Sequence, residues 1–470
     1  MDTLRGALAS AGVRKFRNKP DRFSQGYELR RFAAEGTASR PPTDFFELYW
    51  APHFGPGRLG ATLAWALRLL VRRPFWHLDP QLRGAMGVLQ VSVVALAVAI
   101  VWLLARRFGE DGFVGAIGWA SGVFAAVAAV VNLVAGYVVT RVLADAARYL
   151  TPKPEHVTAR NAIRQEGVQL LHSLHDSGAY QRIVVVGHSL GSVIGLDILR
   201  ITFDELRHPN PATPEPNDEA KRFSTVVRDL PATPTRGEVD LFQQGQRRLW
   251  RELRARGARW LVTDFVTLGS PLAHAPLLLD GKRATLRQRQ EEGEYPTCPP
   301  TGDILYPRTY ELEDGRRRTG LVLDHGAVFA ATTWSNAWFP VRRVFGDPVG
   351  GPLAPIFGRG VKDVQVRLTS RRRHRRQELF LAAHTTYFRR DLDDDAEAAH
   401  VDSGADEAAK AAAASVRDAR KALDEESRTK VAHVAFEAML LLNSRRGVPL
   451  PPPPAPRSRS AQDLPPPDQL

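Results

Sequence analysis

The strongest structural constraint in this sequence is a β-branched run followed at once by a glycine-bracketed serine and a helical pattern. Residues 183–186 read IVVV, which is typical of a parallel strand buried on both faces. The motif GHSLG follows at residues 187–191, and residues 193–200 have the apolar spacing of a helix. A serine at the apex of such a turn is strained and presents its hydroxyl. The stretch predicts an α/β sheet with Ser189 as a nucleophile; the alternative is an ordinary turn with a satisfied serine.

The same turn offers a donor for negative charge. A helix begins with N–H groups that have no partner inside the helix, and Leu190 is the first residue after the serine. A carbonyl attacked by Ser189 develops an oxyanion, which such an N–H group stabilises. We therefore predict Leu190 as one oxyanion donor, with Gly187 and Gly191 keeping side chains away from the turn.

Strand and helix patterns alternate over the rest of the chain. Apolar or aromatic runs predict strands at residues 44–50, 260–268, 328–333 and 361–368. An amphipathic segment predicts a helix at 155–180, and a Pro-rich segment predicts a surface excursion at 208–236. This alternation indicates a doubly wound, mostly parallel sheet. The predicted organisation is the N-terminal part of the domain at 1–84, a hairpin at 85–140, the α/β catalytic domain at 141–390, a charged Ala-rich helical region at 391–445 and a Pro-rich disordered tail at 446–470.

The hairpin at 85–140 rests on two uncharged runs. Residues 85–105 contain no charge and as a helix span about 30 Å, the thickness of a bilayer core. Residues 113–140 form a second such run. Arginines and one lysine flank the pair, and positive flanks mark the cytoplasmic side. We predict a two-helix transmembrane hairpin in the cytoplasmic (inner) membrane, with the catalytic domain inside and the lipid bilayer as a partner; the alternative is a buried hairpin in a soluble core.

Composition excludes several classes of protein. The single cysteine, Cys298, rules out an internal disulfide, and no Cys/His cluster has zinc-site spacing, so we predict no metal and no cofactor. The formal net charge is +13, and residues 371–376 read RRRHRR. No zinc finger, RNA-binding signature or phosphate loop accompanies this run. We predict no nucleic-acid partner and a solvated role for 371–376, with headgroup binding as the open alternative.

The motif at 187–191 resembles the nucleophile elbow of the α/β-hydrolase superfamily. The chain is most similar to bacterial membrane-associated α/β hydrolases, over most of residues 1–390. In those proteins five further motifs accompany the elbow, and here they read ELYW at 47–50, TLGSP at 267–271, WSN at 334–336, DPV at 347–349 and HTTY at 384–387. The resemblance implies hydrolysis of an ester or thioester through a Ser-Asp-His triad.

In that fold the acid and the base follow the nucleophile along the chain, in loops at the carboxyl ends of late strands. The resemblance implies Asp347, in the turn-rich segment GDPVGG, as the acid and His384 as the general base for Ser189. The weaker rivals lie in or beside other elements: His188, which the turn is expected to point away, and Asp264, Asp324, His325 and His374.

One departure from the family concerns the second oxyanion donor. It normally comes from a loop after an early strand, often with a His-Gly motif, and none precedes residues 44–50. Either the start at Met1 is late or the protein lacks this donor. The leading hypothesis is a membrane-anchored serine hydrolase acting on a hydrophobic, lipid-like ester or thioester. The alternative is a catalytically impaired hydrolase-fold membrane scaffold or binding protein.

Overall fold

A parallel sheet of four strands organises the part of the chain that the structure describes. The computed structural model describes residues 16–20, 23, 30–36, 41–53, 149, 154–210, 218–278, 283–312, 315–341, 346–366, 380–385 and 387. Strands β1 (Phe16–Pro20), β2 (Arg30–Ala34) and β3 (Thr43–Phe45) form an antiparallel sheet. The parallel sheet has the order β4 (Ile183–His188), β5 (Val262–Leu268), β8 (Thr333–Trp338), β9 (Lys362–Gln365), and β6 (Leu305–Glu311) pairs with β7 (Arg317–Leu323) as an antiparallel ribbon.

The helices of the described residues fill the connections between these strands. They are α1 (Pro154–Asp176), α2 (Leu190–Leu206), α3 (Asp218–Asp229), α4 (Arg236–Ala255), α5 (Ala275–Leu278), α6 (Arg283–Glu291), α7 (Val328–Ala331), α8 (Ala354–Phe357) and α9 (Phe380–Thr385). Short 3₁₀ turns occur at Ala51–His53 and Pro271–His274. Thr235 begins α4 with a capping box, in which its hydroxyl accepts from Glu238 N–H and the Glu238 carboxylate accepts from Thr235 N–H.

Alternation along β5 separates two apolar cores, one on each face of the parallel sheet. Phe265 lies in the larger core, where its ring is 5.3 Å from that of Trp334. Val266, the next residue, lies in the smaller core with Tyr387. Because both faces of the sheet bury apolar side chains, every residue of β5 is buried. The smaller core carries α9 and Tyr387 against the sheet.

These elements confirm the α/β class and the parallel sheet. The run at 183–186 lies in β4, α2 follows it directly, and the helix predicted at 155–180 is α1. Residues 328–333 differ, since they begin as the helix α7 and enter β8 only at Thr333. The amide of Gln246 donates to the carbonyl oxygens of Phe329 and Thr332, which so short a helix leaves without helical partners. The excursion predicted at 208–236 contains α3.

The strand predicted at residues 44–50 is only partly formed and belongs to the other sheet. β3 pairs antiparallel with β2 and ends at Phe45. The aromatic residues that follow are half-buried against the main core, whereas Tyr49 is 54% exposed. Aromatic side chains packed against a core are typical of a strand, but here they continue beyond the end of the hydrogen-bonded ladder, which explains the error. The prediction that residues 44–50 form a strand of the mostly parallel sheet is therefore wrong.

The membrane placement is also corrected. Among the described residues no helix is long and apolar enough to cross a bilayer. The longest of them, α1, carries charges such as Arg160, Arg164 and Glu166 along its length, and the apolar α2 has only 17 residues. This finding contradicts the predicted location in the cytoplasmic membrane. The predicted hairpin at 85–140 and the regions 391–445 and 446–470 lie outside the described residues.

A fully buried carboxylate ties the amino ends of the parallel strands together. Asp264 in β5 accepts hydrogen bonds of 2.6 Å from the hydroxyls of Thr263 and Thr333. Arg182 and Arg247 lie 3.3 and 3.6 Å from its two oxygens. Burial alone raises the pKa of Asp264, but the two guanidinium groups and the two hydroxyls outweigh it and hold the pKa below its ordinary value.

We expect Asp264→Asn to lower the free energy of unfolding by about 3 kcal/mol, because it removes the buried carboxylate charge that faces two largely buried arginines. Asp176→Asn is the matched control, since Asp176 and its partner Arg259 are both almost half exposed and such a pair contributes at most about 1 kcal/mol. Urea unfolding followed by circular dichroism measures both losses. Equal losses would contradict a stabilising role for the buried cluster.

Candidate functional site

Ser189 occupies a strained turn between β4 and α2. Its φ is 52° and its ψ is −129°. Among the described residues it is the only residue other than glycine with a positive φ. Its N–H donates to the carbonyl oxygen of Leu268 at the end of β5, at 3.0 Å. A Cβ on Gly187 would lie 2.5 Å from Ser192 Cα, so the turn requires glycine at that position. The sequence therefore builds a conformation that costs free energy, and a neighbouring strand holds it in place.

The Ser189 hydroxyl is not used to cap the helix that it precedes. A serine in this position usually accepts a hydrogen bond from the second or third N–H of the helix, and Ser189 makes no such bond. The carbonyl oxygen of Ser189 accepts instead from Ser192 Oγ at 2.6 Å, and Ser192 in turn pairs with Ser270 at 2.6 Å. These two serines hold the turn through its backbone and leave the half-buried side chain of Ser189 available for chemistry.

Leu190 is the first residue of α2, as the oxyanion prediction requires. Its side chain is buried at 4% exposure and anchors the start of the helix, and the first N–H groups of a helix have no partner inside it. The role of Leu190 as one oxyanion donor stays a prediction. The second donor stays unassigned.

Asp347 and His384 meet as a buried pair. Asp347 follows β8, His384 lies in α9 after β9, and the His384 Nδ1 to Asp347 Oδ2 distance is 3.0 Å. The side chains are 0% and 4% exposed. With Nδ1 donating to the carboxylate, the other ring nitrogen of His384 is left to accept a proton. The structure thus brings together the two residues that the sequence analysis named as acid and base.

Three donors surround the Asp347 carboxylate. Oδ1 accepts from the N–H of Val349 at 2.9 Å, and Oδ2 accepts from His384 and from the hydroxyl of Tyr387 at 2.8 Å. Burial alone raises the pKa of Asp347, but attraction to His384 and these hydrogen bonds outweigh it and hold the pKa below its ordinary value. Asp347 is therefore ionised at neutral pH.

Two glycines let the backbone approach this carboxylate. Gly269, the residue after β5, has a φ of +54°, and a Cβ there would lie 2.7 Å from Asp347 Oδ2. A Cβ on Gly350 would lie 2.9 Å from the same oxygen. Since Leu268 holds the N–H of Ser189, the segment that carries Gly269 connects the serine turn directly to the acid.

His188 was expected to point away, and the structure corrects this. Its Nε2 lies 2.8 Å from the carbonyl oxygen of His384, and the two rings are 5.0 Å apart. Burial first and then the nearby His384 lower the pKa of His188 to about 4, so its ring is neutral at neutral pH and its Nε2–H donates to that carbonyl. His188 therefore ties the serine turn to the backbone of the base. No local pattern in the sequence signals this contact.

The loop that carries Asp347 is fixed by two more polar contacts. His274, buried in the 3₁₀ turn after β5, lies 3.0 Å by its Nε2 from the carbonyl oxygen of Pro348. Asn336 in β8 donates to the carbonyl oxygen of Gly351 at 2.9 Å and to Asp363 at 2.7 Å. The acid is held by the strands on either side rather than by its own loop alone.

One link of the triad is not made between these described residues: no hydrogen bond joins Ser189 Oγ to His384. Catalytic hydrogen bonds are often long in an unliganded site and shorten when the substrate binds. The turn and the base are nevertheless joined, because the residue beside Ser189 binds the His384 carbonyl.

The rivals for acid and base lie elsewhere. Asp264 is occupied by its arginines at the amino ends of the strands. Asp324 and His325 form a partly exposed pair after β7, at 3.3 Å. His374 and the run at 371–376 lie outside the described residues. Within the described ranges no group of three or more His, Cys, Asp or Glu side chains is placed to hold a metal ion.

In comparisons with known proteins, no family model, no curated protein and no solved structure matches the chain. The resemblance to the α/β-hydrolase superfamily therefore rests on the motifs quoted above and stays a prediction.

We expect Gly269→Ala to destabilise the protein more than Gly178→Ala. Both glycines have positive φ, +54° and +63°, so both substitutions carry a backbone cost of about 1–2 kcal/mol. Only the methyl group at 269 meets the Asp347 carboxylate and Tyr387, which adds roughly 1–3 kcal/mol of overpacking. Chemical unfolding of the two variants measures the difference. Similar losses would contradict the close approach of Gly269 to the acid.

Proposed function

We propose that this chain is a serine hydrolase that cleaves a carboxylic ester or thioester with Ser189 as nucleophile, His384 as general base and Asp347 as the acid. The observation that carries the proposal is the strained serine at the end of a parallel strand, uncapped and joined through His188 to a buried Asp–His pair. A strained backbone at a serine that makes no capping bond has a cost without a structural return, which favours a catalytic role.

The proposed reaction proceeds through an acyl-enzyme. Ser189 Oγ attacks the carbonyl carbon while His384 Nε2 takes the hydroxyl proton, and Asp347 stabilises the resulting imidazolium. The negative charge on the carbonyl oxygen is met by the N–H of Leu190. Collapse of the intermediate expels the alcohol or thiol, which receives the proton from His384. His384 then takes a proton from water, which attacks the acyl-enzyme. This step releases the carboxylic acid product and restores Ser189.

The order of the strands supports an α/β-hydrolase arrangement for this chain. The nucleophile follows β4, the acid follows β8 and the base follows β9, and these strands lie in one parallel sheet in the order β4-β5-β8-β9. Ligands in open parallel sheets bind outside the carboxyl ends of the strands, where all three residues lie. The class of substrate, an ester or thioester, is carried by the resemblance.

A second candidate function is a hydrolase fold that binds without turnover. The absence of a Ser189–His384 hydrogen bond and the unassigned second oxyanion donor favour it. In this hypothesis the strained turn and the Asp–His pair stabilise the fold and catalyse no reaction.

Labelling with a fluorophosphonate probe separates the two candidates. We expect the full chain to be labelled on the peptide that contains Ser189, because an activated serine attacks phosphorus irreversibly. Ser189→Ala should abolish labelling, while Ser224→Ala, a control at a part-buried serine of α3, should retain it. Labelling that survives Ser189→Ala would refute the assignment, and a wild-type chain that is folded but unlabelled would favour the binding fold.

The acid and base assignments predict the kinetics of two variants. Hydrolysis of p-nitrophenyl butyrate should fall by about 10³-fold or more in His384→Ala and in Asp347→Asn, because the first removes the base and the second leaves it in the wrong tautomer. Asp324→Asn is the control and should change kcat/KM by less than about threefold. A mild effect of Asp347→Asn beside a severe effect of Asp324→Asn would show that the acid is misassigned.

A further inference from the structure

Tyr387 makes two hydrogen bonds behind the Asp–His pair. Its hydroxyl donates to Asp347 Oδ2 at 2.8 Å and accepts from the N–H of Phe339 at 3.2 Å. An ionised carboxylate and an amide N–H allow only this assignment of donor and acceptor. The oxygen that receives the Tyr387 proton is the same one that receives His384 Nδ1–H at 3.0 Å. Two donors therefore share a single oxygen of the acid.

Packing alone does not account for the hydroxyl. Tyr387 is 1% exposed, and its ring contacts those of Phe339 and His188 at centroid distances of 5.0 and 5.7 Å. A phenylalanine would make the same ring contacts without burying a polar group. Burial, followed by the charge of Asp347, raises the pKa of Tyr387 well above its ordinary value, so the phenol keeps its proton and remains a donor.

Sharing the oxygen has a defined electrostatic consequence. The imidazolium form of His384 is stabilised by negative charge on Asp347 Oδ2. A second donor on that oxygen draws charge away from the imidazole and lowers the affinity of His384 for its proton. The same bond fixes the rotation of the carboxylate, because Val349 N–H holds Oδ1 and Tyr387 holds Oδ2.

We propose that Tyr387 is a positioning residue that sets the basicity of His384 through the shared Asp347 oxygen. This inference rests on the proposed function for its catalytic meaning, but the interaction itself is a property of three described side chains. Tyr387 acts through Asp347 and is not itself a catalytic residue.

Two further titratable groups contact His384, and both keep one charge state around neutral pH: His188 is neutral and Asp347 is ionised. His188, at the end of β4, faces the backbone carbonyl of His384. The pKa of His188 is lowered to about 4, so its ring is neutral at neutral pH. Asp347 is ionised, and His274 contacts the carbonyl oxygen of Pro348, the residue after the acid. Among the described residues, a change in the titration of His384 on altering Tyr387 therefore reports on the Tyr387–Asp347 bond.

The test is the titration of His384 followed by NMR in the full chain labelled with [¹³Cε1]histidine. His384→Gln identifies the resonance among the 13 histidines. In Tyr387→Phe we expect the pKa of His384 to rise by about 0.5–1 unit, since the whole carboxylate charge then faces the imidazole. Replacement of Tyr387 by 3-fluorotyrosine, a stronger donor of the same shape, should lower the pKa of His384 and covers the case in which Tyr387→Phe does not fold.

Tyr149→Phe is the matched control. Tyr149 is also 1% exposed and donates to an aspartate oxygen, Asp197 Oδ2, at 2.8 Å, in a cluster separate from the triad. Its substitution removes an equivalent hydrogen bond and should leave the titration of His384 unchanged. A His384 titration in Tyr387→Phe that matches wild type, or a fall in its pKa, would overturn the proposal and leave Tyr387 a packing residue.

The rate of fluorophosphonate labelling keeps this inference separate from the proposed function. Below the pKa of His384, Tyr387→Phe should label about three- to tenfold more slowly, because that factor follows from the rise in the pKa of the base. An unlabelled wild-type chain with a shifted His384 titration would refute the hydrolase but sustain the link through Tyr387. Normal labelling with an unshifted titration would refute the link and sustain the hydrolase.

Discussion

Burial of the Asp347 carboxylate is the constraint on which the site depends. An ionised carboxylate without solvent is costly unless every lone pair that faces the protein finds a donor. Asp347 meets this with a backbone N–H, a phenol and an imidazole, and each comes from a different segment of the chain. The glycine at 269, the turn after β8 and the helix α9 are arranged around this requirement. The position of the base follows from it, because His384 is held by the same oxygen.

The strained turn at Ser189 could be predicted from the sequence because its signal is local. A β-branched run, the GHSLG turn and a helix lie within about twenty consecutive residues, and the positive φ of Ser189 follows from that order. Asp347 and His384 needed the chain order of a known family, since nothing near either residue shows that they meet. The contacts of His188 and Tyr387 were not predicted, because they join segments almost 200 and 40 residues apart in the chain. Such contacts leave no periodicity.

The errors have an equally physical cause. Residues 44–50 are rich in aromatic side chains, and Phe46 and Trp50 pack against the main core as they would from a strand, yet the hydrogen-bonded ladder ends at Phe45. Side-chain periodicity reports which face is buried and says nothing about where the backbone N–H groups find partners. The same limit applies to 328–333, where buried carbonyl groups are satisfied by the Gln246 amide rather than by a neighbouring strand.

Two buried aspartates on the same sheet show how a structural charge differs from one suited to chemistry. Asp264, near the amino end of β5, is balanced by two arginines, whose charge is permanent. Asp347, beyond the carboxyl ends of the strands, is balanced by neutral donors and by a histidine, a side chain that can bind and release a proton. Both carboxylates have a lowered pKa, so the direction of the shift does not tell them apart. The partner of each carboxylate tells them apart. A permanent cation holds a carboxylate in one role, whereas an imidazole leaves it able to stabilise a proton that arrives only during a reaction. Ser189 is joined through its neighbour His188 to the histidine that pairs with the second aspartate, and this connection makes that end of the sheet the candidate site.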